Sequence, residues 1–101
     1  MNTTVIALAP YGSDLSGRAA GSIVRERIVA ALACGSVRVI VECAGIRTLS
    51  ESFTDEVFGV LVAEHGKPWF KAHIGVSGLT QSTRAAILGA VAERLQLCPA
   101  A

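Results

Sequence analysis

The run Val37-Arg38-Val39-Ile40-Val41 constrains this chain more than any other stretch. Three valines at alternate positions with isoleucine between them are near-continuous β-branched sequence. Such runs suit a strand covered on both faces. A turn through Gly45 and Ser50 follows, and then an apolar repeat from Ser52 to Gly66 that reads as a helix. Ser52 precedes Asp55 by three residues, just ahead of that repeat. A serine there can accept a backbone N–H that the first helical turn leaves unpaired. Strand, loop and helix start form the centre of the expected fold.

The remainder of the chain repeats the same alternation. Thr3–Leu8 reads as a strand, stopped by Pro10, Gly12 and Ser13-Asp14. Ser16 is placed to cap a helix over about Gly17–Cys34. There Ala20, Ile23, Val24, Ile28, Ala31 and Leu32 recur at helical spacing, and Gly35 ends it. In the loop after the central strand, Ile46 and Leu49 are expected to tuck under the sheet's end. Gly66 and Pro68 close the second helix. Trp69–Val76 reads as a third strand, with Phe70, Ala72, Ile74 and Val76 on one face and Trp69, Lys71 and His73 on the other. Thr80 or Gln81 begins a last helix with Leu88, Val91, Ala92 and Leu95 facing inward, ended by Cys98-Pro99. The prediction is an α/β fold: a small, mainly parallel sheet of three to four strands in β-α-β-α-β-α order, in two or three layers. Binding surfaces in such sheets gather at the carboxyl ends of the strands, where the Gly45–Ser50 loop lies.

Length and composition bound the function. A chain of 101 residues is expected to form one domain, residues 1–101. With 51% hydrophobic and 17% charged residues, some apolar surface should remain outside, which points to a partner or to self-association. A net charge of +1 with no basic cluster gives no reason to expect nucleic acid or anionic lipid. Cys34, Cys43 and Cys98 are odd in number and show no C-x-x-C spacing. Free thiols in a reducing cytoplasm are the expectation, with no metal or cofactor site. The apolar run Val5–Ala9 is shorter than a signal peptide needs, and charged residues interrupt every longer apolar stretch, so no membrane span is expected.

On the second helix, Phe53, Val57, Val60 and Leu61 form one stripe assigned to the core. The opposite side holds Asp55, Gly59 and Val62, flanked by Ser52 and Ala63, with Phe58 at the border. Glycine in a helix interior costs ~1 kcal/mol against alanine. Gly59 therefore reads as a place where something approaches the backbone closely. Phe58 and Val62 are apolar anchors beside it, and Asp55 and Glu56 form an acidic edge. The expectation is a docking face that starts at Ser52.

The segment Val37-Arg38-Val39-Ile40-Val41-Glu42-Cys43-Ala44-Gly45-Ile46, followed by Ser50-Glu51-Ser52-Phe53-Thr54-Asp55-Glu56-Val57-Phe58-Gly59, resembles the STAS superfamily (sulfate transporter and anti-sigma-factor antagonist). It is most similar to the prokaryotic STAS-like family whose function is not established. Ile74-Gly75-Val76-Ser77-Gly78-Leu79 with Arg84 also resembles the strand-to-helix passage of these domains. In anti-sigma-factor antagonists the serine at this helix start is phosphorylated by a serine kinase of the histidine-kinase-like ATPase fold, which is also the partner. The matching position is Ser52. Ser50 stands where the usual aspartate would be and Phe53 where glycine usually follows. The resemblance implies a regulatory, signal-transducing protein-binding module, and with the helix face read above it gives a docking surface of Ser50, Glu51, Ser52, Asp55, Glu56, Phe58, Gly59 and Val62. A phosphate at Ser52 would be favoured by the helix N-terminus and would add nearly two negative charges beside Glu51, Asp55 and Glu56.

No catalytic constellation assembles from the sequence. His65 and His73 read as structural, Cys43 lacks a glycine-flanked elbow and a neighbouring base, and the early glycines are too irregular for a phosphate loop. Glu42 reads as ordering the following loop. The expectation is a protein that is not an enzyme. Two other readings stand beside it: a homodimer formed through the apolar face or a sheet edge, and a small-ligand sensor with its pocket at the Gly45–Ser50 loop.

Overall fold

A computed structural model describes residues 2–97. Three strands form an all-parallel sheet: β1 (Thr3–Ala7), β3 (Arg38–Glu42) and β5 (Ile74–Ser77), in the spatial order β1-β3-β5. Two short strands, β2 (Asp14–Leu15) and β4 (Thr48–Leu49), pair in parallel beside it. Helix α1 spans Arg18–Ala33. Helix α2 covers 51–65 as three continuous pieces, Glu51–Thr54, a π-helical turn Asp55–Gly59, and Val60–His65. Helix α3 is Lys67–His73 and α4 is Gln81–Leu97. The mixed α/β class and the small parallel sheet agree with the sequence. The expected end of the last helix at Cys98-Pro99 lies outside the described residues. No helix among the described residues is long and apolar enough to cross a membrane.

The topology decides how many layers there are. The chain moves across the sheet in one direction, β1 to β3 to β5. Right-handed crossovers taken in one direction place their helices on the same side. The core accordingly lies on one face of the sheet. Ile6, Val39, Val41 and Ile74 point into it, against Val24 and Ile28 of α1, Phe53, Val57, Phe58 and Leu61 of α2, and Ile87 of α4. Among the described residues the β-branched run of β3 is therefore covered on one face, not on both as its sequence implied. Val39 and Val41 are buried, while Arg38, Ile40 and Glu42 alternate with them at intermediate exposure.

Several local expectations are corrected. Residues 69–73, read as the first half of a strand, are helical and belong to α3. Gly66, at φ +89°, ends α2 and leads directly into α3, and Pro68 stands in the first turn, where its missing N–H costs nothing. The residues that alternate as a strand also recur every four as a helix. His65, Trp69 and His73 stack in series, with ring centroids 3.9 and 5.0 Å apart. His73 is thus a helix-end residue, its Nδ1 2.9 Å from the Val37 carbonyl oxygen. In α1 the start is Gly17 with no side-chain cap, so Ser16 does not cap it, and Ile23 is exposed while Gly21 is buried. In α4 the inward residues are Thr83, Ile87 and Ala90, with Val91 partly buried, and Leu88 faces out. Thr80 and Thr83 cap that helix reciprocally: each hydroxyl accepts the other's backbone N–H, at 2.9 and 3.1 Å. Ile46 and Leu49 are buried as expected.

Candidate functional site

Helix α2 starts at the carboxyl end of β3, and its first residues reach the surface. The capping residue is Ser50, not Ser52. Its Oγ accepts the Phe53 N–H at 3.1 Å and the Gly17 N–H at 3.3 Å, tying the start of α1 to the start of α2. Ser52 lies inside the first turn, its Oγ 3.2 Å from the Ser50 Oγ. Glu51 is exposed, and Ser50 and Ser52 are partly so. The preceding loop is locked by Asp14, whose carboxylate accepts from Arg47 Nε at 3.1 Å and Thr48 Oγ1 at 2.6 Å. Those bonds hold its pKa at about 2. The Glu42 side chain makes no hydrogen bond or ion pair with the described residues, so it does not order this loop.

The ridge expected to dock a partner is not a free surface. Phe58, Gly59 and Val62 are buried, the two side chains at 0% and 1% exposure. Helix α2 is flanked by α1 on one side and α4 on the other, with the sheet beneath, so it has three buried sides. The acidic edge is neutralised within the fold. Asp55 receives Arg94 in a two-pronged pair, Nε to Oδ1 and Nη2 to Oδ2, both 2.7 Å, and Arg18 Nη1 at 2.9 Å. The Arg94 bonds, with Arg18 adding, draw the Asp55 pKa down to about 2. Glu56 receives Arg25 at 2.6 Å and Arg18 at 2.9 Å, which also lower its pKa. Gly59 does mark a close approach, as its sequence position implied, but the visitor is internal. A Cβ there would sit 3.0 Å from Arg94 Cγ and nearer still to the Asp55 carboxylate. The missing side chain lets the Arg94 stem cross α2 on its way to Asp55.

What remains open is a groove of about 340 Å³ between the start of α2 and the middle of α4. Ser52, Thr54, Ala85, Ala86, Gly89 and Ala90 line it, and Arg18, Glu51, Asp55 and Glu93 supply the charge. None of loop residues 44–49 contributes, so the groove is not the loop pocket of the ligand-sensor reading. The α4 side of the groove was missed by the sequence reasoning. The available signal was Gly89, a helix-interior glycine like Gly59, but one whose Cβ position meets nothing within 4 Å.

Elsewhere the chemistry is quiet. The Cys43 thiol is buried, and burial, helped by the charge of Glu42, raises its pKa to about 11, the wrong direction for a nucleophile. No group of three metal-ligating side chains occurs among the described residues.

No curated protein and no solved structure matches this chain. A family model described as STAS-like domain of unknown function (DUF4325) matches residues 20–84. That span runs from α1 through β3, the Ser50-Glu51-Ser52 helix start and β5 to the first turn of α4, and on it the chain belongs to the STAS-like domain family.

Proposed function

We propose that this STAS-like domain is a non-catalytic regulatory module that binds a protein partner in the groove at the start of α2, with Glu51 and Ser52 on its rim and Ser50 capping the helix beside them. The single observation carrying the reading is that Ser52 borders an open groove whose far wall is built of small α4 residues, Ala85, Ala86 and Gly89. Small residues let a partner helix or loop come close to the backbone. The resemblance to anti-sigma-factor antagonists adds the partner class, a histidine-kinase-like ATPase, and makes Ser52 the modified residue. A phosphate on Ser52 would bring nearly two negative charges into a groove already edged by Glu51, Asp55 and Glu93. Arg18, already engaged by Asp55 and Glu56, would offset only part of it. A partner seated there would face uncompensated charge and be released.

Gly89→Arg is the discriminating variant, since that position is open and the substitution blocks the groove without touching the core. The expected result is capture of a histidine-kinase-like ATPase by the native chain, loss of capture with Gly89→Arg and with Ser52→Glu, and phosphate on Ser52 when the captured ATPase is incubated with the chain and ATP. Undiminished capture by folded Gly89→Arg would overturn the groove as the docking site. Stoichiometric phosphate elsewhere with Ser52 unmodified would overturn the switch.

A further inference from the structure

We propose that the uncovered face of the β1-β3-β5 sheet is a self-association surface, on which a second copy of this chain packs with its β3 antiparallel across the first. The starting point is a mismatch between sheet type and burial. Parallel sheets occur almost only where both faces are covered. The one-directional strand order puts every crossover helix on one face, and the described residues leave the other uncovered.

The bare face has an apolar centre and a charged strand along its middle. Register places Val5, Ile40 and Gly75 side by side in one row across the three strands, and Ala7, Glu42 and Ser77 in the next. Val5 is 56% exposed. Arg38, on the same face, lies across β5: a Cβ on Gly75 would meet its Nη2 at 2.8 Å, and its Nη1 donates to the carbonyls of Lys71 and Ala72, both at 3.2 Å. Along β3 the outward sequence is thus cation, isoleucine, anion, at residues 38, 40 and 42.

That order decides the occupant and its direction. A two-fold axis through Ile40, perpendicular to β3 and in the plane between the sheets, sets Ile40 on Ile40 and Arg38 of each copy opposite Glu42 of the other. A parallel arrangement would instead oppose arginine to arginine and glutamate to glutamate. Arg38 and Glu42 are ~13 Å apart along the strand, and sheets stack ~10 Å apart, a gap that an arginine and a glutamate side chain together can span. The Glu42 side chain has no other partner among the described residues to give up. Three strands of about five residues present only ~230 Å² of sheet, against ~800 Å² per partner in a standard interface. The dimer is therefore a weak one, reversible at micromolar to millimolar concentration. The Ser52 groove lies in the helical layer, away from this face, so a dimer displays two grooves at once.

Sedimentation equilibrium from micromolar to millimolar chain tests this. The native chain should pass reversibly from one to two chains in mass, and Val5→Glu should stay at one chain with unchanged circular dichroism. Arg38→Glu alone and Glu42→Arg alone should each fail to dimerise, while their equimolar mixture should recover the dimer, because every cross-pair is then opposite in sign. A native monomer at millimolar concentration overturns the proposal and leaves the face to a different protein. So does a dimer indifferent to Val5→Glu. Folded single-charge variants whose mixture stays monomeric overturn the antiparallel arrangement.

Discussion

Replacing Asp55 by asparagine removes one charge from the junction of α1, α2 and α4 with little change in shape. Asp55 accepts two bonds from Arg94 and one from Arg18, and its pKa falls from 3.8 to about 2. Each tenfold change in proton affinity corresponds to ~1.36 kcal/mol. The Asp55 side chain is 18% exposed and Arg18 more than half so, and solvent weakens such pairs. The carboxylate therefore contributes about 1–2 kcal/mol near neutral pH. Its pKa is lowered on folding, so this stability is present above the unfolded value and is lost as pH falls through the folded one. Urea unfolding of native chain and Asp55→Asn, from neutral pH to about pH 2, reads it out directly. At neutral pH the variant should be less stable by about 1–2 kcal/mol, and the difference should shrink between pH ~4 and ~2. Glu56 and Asp14 also lose stabilising charge on acidification, so the native curve alone is not diagnostic, whereas the difference curve isolates Asp55. A variant as stable as the native chain at neutral pH, or a deficit that does not change with pH, would refute the reading that the Asp55 carboxylate ties Arg94 and Arg18 to α2.

The two helix-interior glycines should respond oppositely to alanine. Gly59→Ala drives a methyl group into Asp55 and Arg94 and should destabilise by ~1–3 kcal/mol, whereas Gly89→Ala faces open space and should stabilise by up to ~1 kcal/mol, both read from urea midpoints. Cys43 is buried with a raised pKa and Cys34 is exposed, so alkylation of the native chain followed by peptide mass mapping should label Cys34 quickly and spare Cys43 until urea unfolds it.

The alternation of strands and helices and the class of sheet were legible in the residues alone, because Val39, Val41 and Ile74 carry their burial in their own side chains, and Gly66 and Pro68 carry their stop in the backbone. The start of the second helix was legible to within two residues, but its cap was read at Ser52, whereas Ser50 holds the Phe53 N–H. Strand and helix could not be separated over 69–73, where residues that alternate also recur at every fourth place.

Which side of α2 stays free depends on the packed fold. Periodicity assumes one buried stripe at a constant angle per residue. Here two helices flank α2, and the π-helical turn at Asp55–Gly59 inserts extra backbone that shifts everything after it around the axis. Phe58 and Val62 therefore face the core, and Asp55 meets an arginine 39 residues away. Likewise the β-branched run of β3 announced two covered faces, but only the strand order could reveal that the described residues cover one.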